Sequence, residues 1–311
     1  LKIIYGISNI KKFNKPVAAL GVFDGMHRGH REIIQCAVRQ ARKIRGTSLA
    51  LTFWPHPQKE GSLYSLEHRL RLIAELGIDV CIVVNFNRAF AGISADDFIA
   101  KILVKKIGVS FVCVGKNFRF GRSALGDYKK LAQGAKKYDF RIKALKVLRF
   151  AGRPVSSTVI RKLIKKGEIE EAQRLLGRPV SVLGSVIKGS SLGRLLGVPT
   201  ANINPHHEVI PPPGIYAARI FLSGRLYEGA CYIGTRPTIH SRNRSMRIEV
   251  NVFGLHKDIY GRFLEIRFVK LIRPDKKFPS LEALSGQMKK DIHACRRLLK
   301  GRFSTQSRTV P

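Results

Sequence analysis

The sequence predicts an α/β fold: a doubly wound parallel sheet followed by a small closed β-barrel with a C-terminal helix. Three observations predict it. Strand-like and helix-like runs alternate through the first half, the pattern of a mostly parallel sheet with helices on both faces. After Arg178–Pro179 the chain becomes a series of short β-rich runs separated by Gly, Pro and Ser, as in small barrels. One long helical run then closes the chain. The 311 residues suffice for two domains, and the change of texture divides them at 1–178 and 179–311.

In order, VAALGVF (17–23) reads as a buried strand and HREIIQCAVRQARKI (30–44) as a helix, its apolar residues at helical spacing. TSLALTF (47–53), VCIVVNF (80–86) and FVCVG (111–115) continue the strands, and RIKALKVL (141–148) follows them. LEHRLRLIAEL (66–76), DDFIAKILVKKI (96–107) and KKLAQGAKKY (129–138) supply the intervening helices. STVIRKLIKK and IEEAQRLL are two short helices, each stopped by a glycine, Gly167 and Gly177. Five runs then have strand character: VSVLGSVIKG, GIYAARIFL, RLYEGACYIG, MRIEVNVFGL and FLEIRFVKLI. Five or six strands and the helix of 280–301 make the barrel domain, and the last ten residues read as a frayed tail.

Composition narrows the function. The hydrophobic fraction of 44% supports a sizeable core. No run approaches the ~20 apolar residues of a membrane span, and the opening stretch has no secretory pattern. Cys36, Cys81, Cys113, Cys231 and Cys295 are odd in number, far apart and form no CxxC pair, which fits a reducing cytoplasm and argues against a zinc site. Lys and Arg number 57 against 21 Asp and Glu, a net +36. That charge attracts anions: nucleotides, nucleic acid or an anionic lipid surface. It is spread over both parts, and no RNP, KH, zinc-finger or helix-turn-helix signature accompanies it, which argues against nucleic-acid binding. A homo-oligomer stays open.

Two strings carry chemistry. The first is Gly21-Val22-Phe23-Asp24-Gly25-Met26-His27-Arg28-Gly29-His30, between the first strand and the first long helix. His27 and His30 are three apart and share a face of the first turn. A helix N-terminus there favours phosphate. The second is Gly189-Ser190-Ser191-Leu192-Gly193-Arg194-Leu195-Leu196-Gly197-Val198-Pro199-Thr200-Ala201-Asn202. A glycine-rich loop can wrap phosphate with backbone N–H groups. Thr200 and Asn202 offer two neutral oxygens on one side of an extended segment, a donor type that suits Mg²⁺. GK[ST] is absent, so this is no Walker A loop.

The first string resembles the GxFDGxHxGH signature of the nucleotidylyltransferase superfamily. Thr52-Phe53-Trp54-Pro55-His56-Pro57, Gly115-Lys116-Asn117-Phe118-Arg119-Phe120-Gly121 with Gly126-Asp127, and Ser156-Ser157-Thr158-Val159-Ile160-Arg161 resemble, in the same order, segments of prokaryotic FAD synthetases. The second string resembles the GxxxGRxLGxPTAN motif of riboflavin kinases. Pro213-Gly214-Ile215-Tyr216-Ala217, Ile233-Gly234-Thr235-Arg236-Pro237-Thr238, Tyr260-Gly261 and Arg273-Pro274-Asp275-Lys276-Lys277-Phe278 resemble their later segments. The resemblance is to the bifunctional riboflavin kinase/FMN adenylyltransferase family and runs over residues 15–300.

That resemblance implies phosphorylation of riboflavin to FMN, then adenylylation of FMN to FAD with release of pyrophosphate, ATP serving both steps. It places Gly21, Phe23, Asp24, Gly25, His27 and His30 at ATP, with Ser157, Thr158 and Arg161 as further donors. Asn117, Asp127, Pro55 and His56 fall on the flavin side. In the barrel it places Gly189, Gly193, Gly197, Thr200 and Asn202 at ATP and Mg²⁺, Arg273 and Phe278 at flavin, and Glu249 as the base that takes the ribityl 5′-hydroxyl proton. Plainer readings stand beside these: SSTVIR as a helix cap, His56 as a rigid loop residue, Glu249 as a surface strand acid. The chain departs from the family at Trp54 (commonly acidic), Asn117 (Asp), Tyr232 (Asn) and Asp275 (Glu). Trp54 keeps open a single-activity enzyme with one domain degenerate.

Overall fold

A computed structural model describes residues 1–8, 10–57, 62–189, 192–206, 208–236 and 245–300. Ser190, Ser191, Pro237, Thr238 and the tail after Gly301 lie outside the described residues. The chain divides into two compact units: Leu1–Ile160 with Leu175–Gly177, and Arg161–Arg174 with Arg178–Pro311.

The first unit is built on a six-stranded sheet of order β1-β4-β3-β2-β5-β6, every pair parallel. Its strands are β1 (Lys2–Tyr5), β2 (Val17–Leu20), β3 (Ser48–Trp54), β4 (Val80–Asn85), β5 (Phe111–Gly115) and β6 (Arg141–Leu145). Successive residues of a strand face opposite ways, and both faces here are apolar. One face buries Ala18, Leu20, Leu49, Leu51, Ile82 and Val112 against Phe98, Ile102, Leu103 and Leu131. The other meets helix α1 (Arg28–Lys43), whose buried Ile33, Ile34, Ala37, Val38 and Ala41 form one helical stripe. There Cys36 of α1 comes within 3.2 Å of Cys113 of β5, sulfur to sulfur. All five cysteines are free and buried.

The remaining first-unit elements connect the strands. Helix α2 is Leu66–Ala74, α3 is Arg88–Ala91, and α4 (Ala95–Asp97) continues as a π-helix over Phe98–Ile107 that Gly108 ends at φ +69°. Helix α5 is Tyr128–Lys137, and β7 (Arg149–Phe150) with β8 (Arg153–Pro154) makes a small hairpin. The division between units runs through α6 (Ser157–Lys166) and α7 (Ile169–Leu176). Gly167 and Gly177 follow these helices at φ +82° and +71°, the left-handed conformation expected of a C-terminal glycine.

Strand order reverses beside β2: β3 and β4 lie on one side of it and β5 on the other. In such sheets ligands bind beyond the carboxyl ends of the strands at this point. The GxFDGxHxGH string leaves the end of β2, and the Lys116–Asn117 turn leaves the end of β5.

The second unit is a closed antiparallel barrel of order β10-β13-β12-β11-β14-β9. Its strands are β9 (Ser181–Ile187), β10 (Ala201–Asn204), β11 (Gly214–Leu222), β12 (Arg225–Arg236), β13 (Ser245–Val252) and β14 (Phe263–Pro274); helix α8 (Leu192–Leu195) lies between β9 and β10. The sixth strand, β10, takes the last two residues of the glycine-rich string, Ala201 and Asn202, and the two that follow. Inward residues are apolar, among them Ile203, Tyr216, Ile220, Ile233, Ile248, Val250, Leu264 and Phe268. Helix α9 (Leu281–Lys300) sets Cys295 and Leu299 against Ala217, Ala230 and Val269 on the outside. Among the described residues no helix is long and apolar enough to cross a membrane.

Candidate active sites

The first candidate site begins where β2 stops. The strand reading of 17–23 is corrected here: β2 ends at Leu20, because Phe23 takes φ +55°, Gly25 +82° and Met26 +44° in a tight turn. A Cβ at Gly21 would fall 2.8 Å from the Phe23 ring, so the turn needs glycine there. His27 is the N-cap of α1, and its Nδ1 accepts the His30 N–H at 3.3 Å. The two imidazoles stack, with centroids 3.6 Å apart, and the buried Phe23 ring meets His30 edge-on. Burial lowers the His27 pKa to about 4. It also takes His30 well below the ordinary range, helped by the charges of His27 and Arg69. Both rings are therefore neutral hydrogen-bonding groups at pH 7. An arriving triphosphate supplies the negative charge that favours their protonated forms.

Asp24 is 1% exposed. Its Oδ1 accepts from the Leu63 N–H at 2.8 Å and lies 3.8 Å from Arg69, and its Oδ2 lies 3.7 Å from His56 Nε2. The carboxylate, placed at ATP by the resemblance, is thus committed to protein groups. Arg69 is the residue the sequence reading missed. Fully buried, it donates through Nη1 to the Val22 and Phe53 carbonyls at 3.0 and 3.1 Å and to Thr52 Oγ1 at 3.3 Å. Its guanidinium lies 5.6 Å from the Trp54 ring centroid. It ties together the ends of β2 and β3. On α2 it looked like one more basic residue of an amphipathic helix, and no local signal marked it.

Pro55 is exposed and His56 half-buried. Asn117 is exposed at the end of β5, with its Oδ1 against Gly115. Asp127 caps α5: its Oδ1 accepts from the Lys130 N–H at 3.0 Å and its Oδ2 pairs with Arg119 at 3.2 Å. The bond from Lys130, reinforced by Arg119, lowers its pKa. Ser156 Oγ accepts from the Val159 N–H, the capping bond expected of SSTVIR, and Ser157 donates to the Asp24 carbonyl at 2.6 Å. Thr158 is exposed. Arg161, one turn further along α6, is 3% exposed and belongs to the second unit.

The second candidate site lies on the outer face of the barrel. Asn202 pairs with Glu249 and Glu249 with Tyr232 across β10, β13 and β12, so the three form one row. The neighbouring row, Ile203–Ile248–Ile233, faces the interior. Thr200 Oγ1 donates to Glu249 Oε2 at 2.8 Å. Arg247 Nε pairs with Glu249 Oε1 and donates to Asn202 Oδ1 at 3.2 Å. The Glu249 side chain is 14% exposed, held on both oxygens yet open to solvent. A Cβ on Gly189 would overlap the Asn202 amide, and one on Gly193 would sit 2.7 Å from Thr200 Oγ1. The glycines thus let the loop backbone lie directly on the two oxygen donors. Gly197 takes φ +73°. Beside Thr200 opens a cavity of about 240 Å³, lined by Pro199, Val250, His256, Lys257 and Tyr260 among others.

Arg273 lies beside this row but is engaged: it donates to Asp291 of α9 at 2.7 and 3.0 Å and lies 5.6 Å from the Phe278 ring centroid. Tyr232 donates to Asp275 at 3.3 Å, and burial with the nearby Asp275 charge raises its pKa to about 12.

Among the described residues no three His, Cys, Asp or Glu side chains gather into a metal site. A cation here would rest on neutral oxygens, and the two present fit one. Thr200 gives its proton to Glu249, which leaves the oxygen lone pairs for a ligand. Asn202 Oδ1 accepts from Arg247 with one of two lone pairs.

Comparison with known proteins covers both units. A family model described as FAD synthetase matches residues 9–159, and one described as riboflavin kinase matches 176–299. The chain is 34% identical over 301 residues to the bifunctional riboflavin kinase/FMN adenylyltransferase of Escherichia coli K12, covering 94% of this chain and 96% of that one. It is 34% identical to the Bacillus subtilis protein of that name over 292 residues, 89% and 90% of the two chains. A crystal structure described as a macrolide-efflux protein from Streptococcus pneumoniae has a TM-score of 0.83 at 27% identity, over 95% of this chain and 99% of that one. Efflux is said of that protein; what is shared here is the fold.

Proposed function

The chain belongs to the bifunctional riboflavin kinase/FMN adenylyltransferase family, and from that premise we propose how its residues divide the two reactions. It phosphorylates riboflavin to FMN with ATP and adenylylates FMN to FAD with a second ATP. Residues 179–311 carry the kinase and 1–178 the adenylyltransferase.

In the kinase, Glu249 accepts the proton of the riboflavin 5′-hydroxyl. The freed oxygen bonds to the γ-phosphorus of ATP, the bond to the β–γ bridging oxygen breaks, and ADP leaves. The observation that carries this reading is the cluster of Thr200, Asn202 and Glu249, which sets the carboxylate beside two neutral oxygen donors. Thr200 and Asn202 would hold Mg²⁺ on the nucleotide phosphates, where it neutralises charge when bound. The cavity beside Thr200, with Lys257 and His256 on its wall, seats the nucleotide; Gly189 and Gly193 bring the loop backbone against Asn202 and Thr200, and Gly197 turns the loop at φ +73°. Arg273 and Phe278 border the flavin.

In the adenylyltransferase an FMN phosphate oxygen bonds to the α-phosphorus of ATP, and pyrophosphate leaves. The attacking phosphate is already ionised, so the site needs positioning and charge stabilisation rather than a base. His27 and His30 meet the ATP phosphates at the N-terminus of α1, and Gly21, Phe23 and Gly25 shape the turn beneath them. Asp24 supports that turn from within. Ser157, Thr158 and Arg161 on α6 add donors, the last through charge. Pro55, His56, Asn117 and Asp127 lie on the flavin side, with Asp127 acting as a helix cap there. The five free cysteines support a reducing cytoplasm as its compartment, and its substrates are small molecules.

The test is a time course. Purified protein is incubated with riboflavin, ATP and Mg²⁺, and the flavins are separated by chromatography. FMN appearing first and FAD after it supports both sites and their order. FMN alone makes the first unit inactive, with Trp54 the residue to replace first. No conversion of riboflavin or of added FMN refutes the reading.

A further inference from the structure

Beside the Thr200–Asn202–Glu249 cluster lies a group that the reaction above does not use. Arg247 lies two residues before Glu249 on β13, on the same outward face. Its Nε both pairs with Glu249 Oε1 and donates to Asn202 Oδ1. One N–H group therefore joins the general base to a candidate metal-side oxygen. The strand partner of Arg247 on β12 is Gly234, which brings no side chain of its own. The Tyr232 phenol lies over that glycine, against the place where a Cβ would be. On the far side Gly189 lies against the Asn202 amide. The carboxylate is thus held by Thr200 on one oxygen and by Arg247 on the other.

We propose that Arg247 is a positioning residue for the kinase step: its guanidinium fixes Glu249 and Asn202 relative to each other, so that the base and the metal-side oxygen face one phosphoryl path. The proposal rests on the kinase reading of this site. The physical reason is the geometry of the fork. A planar guanidinium directs Nε–H along the plane of its stem, whereas a lysine ammonium is a point charge that rotates. A glutamate freed from it regains its staggered rotamers and faces the acceptor hydroxyl only part of the time. Small misplacements of a reacting group are costly to rate, since much of a transfer barrier is lowered by pre-set geometry.

The experiment compares wild type, Arg247→Met, Arg247→Lys, Glu249→Gln and the Arg247→Met/Glu249→Gln double variant in the full chain. FMN formation from riboflavin and FAD formation from supplied FMN are measured on each preparation. The second reaction reports folding independently of the barrel site. The expected result is a fall of roughly 10- to 100-fold in kcat for FMN formation in Arg247→Met, with the KM for riboflavin changed less than about threefold. FAD formation should stay within twofold of wild type, and Arg247→Lys should recover only part of the loss. A residue acting through Glu249 adds nothing once that base is gone, so the double variant should match Glu249→Gln alone.

Kinase kcat within twofold of wild type in Arg247→Met would overturn the proposal. So would additive losses in the double variant. A rise in kcat would also overturn it and make the Arg247–Glu249 pair an inhibitory contact. If Arg247→Met does not fold, Arg247→Lys decides alone, since unchanged kinetics there would show that the fork is not needed. A wild-type protein that forms no FMN would instead refute the kinase reading on which the proposal stands.

Discussion

The imidazoles of His27 and His30 stack 3.6 Å apart, centroid to centroid, and the first caps the helix that carries the second. Two groups proposed to face phosphate are therefore held in one geometry before ATP arrives, in neutral form.

That burial predicts a pH dependence of stability. The folded His27 pKa of about 4 lies below the ordinary 6.5. As pH falls below 6.5 the unfolded chain takes up this proton while the folded chain does not, and unfolding is favoured. The stability concerned is complete above pH 6.5 and is lost progressively down to about pH 4; for His27 alone it is on the order of 3 kcal/mol. His27→Asn keeps a capping side chain but does not titrate. Urea unfolding followed from pH 7 to 4 should show a steeper loss in wild type than in His27→Asn.

Arg69 and Asp24 form a buried pair whose carboxylate also holds the Leu63 N–H. Removing one partner of such a pair costs about 3–5 kcal/mol. Arg69→Met should therefore lower the unfolding free energy of the first unit by that amount, read as a lower urea midpoint. FAD formation should fall with it, while FMN formation by the barrel continues.

The two chemistries should separate by mutation. Glu249→Gln should lower FMN formation by about 10²–10⁴-fold, the range for a lost general base, and spare FAD formation from supplied FMN. His30→Ala should do the opposite. Loss of both activities in a folded variant of either kind would contradict two separate sites.

Gly189→Ala tests the loop against Asn202. Its methyl group would overlap the Asn202 amide, and overpacking of this kind costs about 1–3 kcal/mol. The expected readout is a raised KM for ATP in FMN formation, with FAD formation unchanged.

Much of the fold was legible because its signals are local. FVCVG is a strand over the same five residues in sequence and structure, and Gly167 and Gly177 end their helices as glycine predicts. Four strands carried too little signal, among them the two-residue β7 and β8. β1 buries only Ile4 of its four residues, and β10 is four residues long directly after Thr200. Phe23 looked like strand because it is apolar and buried, but it is buried from a turn. Asp127 shows the same limit in a functional segment: its place in the string was readable, its work as an α5 cap was not.

By itself the sequence determined the order of the longer strands and helices, the two-part organisation, and the strings that hold His27, His30, Thr200, Asn202 and Glu249. These follow from periodicities of 2 and 3.6 residues and from spacings within a few positions. Only the tertiary structure decided that Arg69 of α2 joins the ends of β2 and β3, and that Arg247 joins Glu249 to Asn202. Those relations depend on parallel pairing and on the register of the closed barrel. Both are set by long-range burial of apolar faces, which brings together side chains that no local pattern connects.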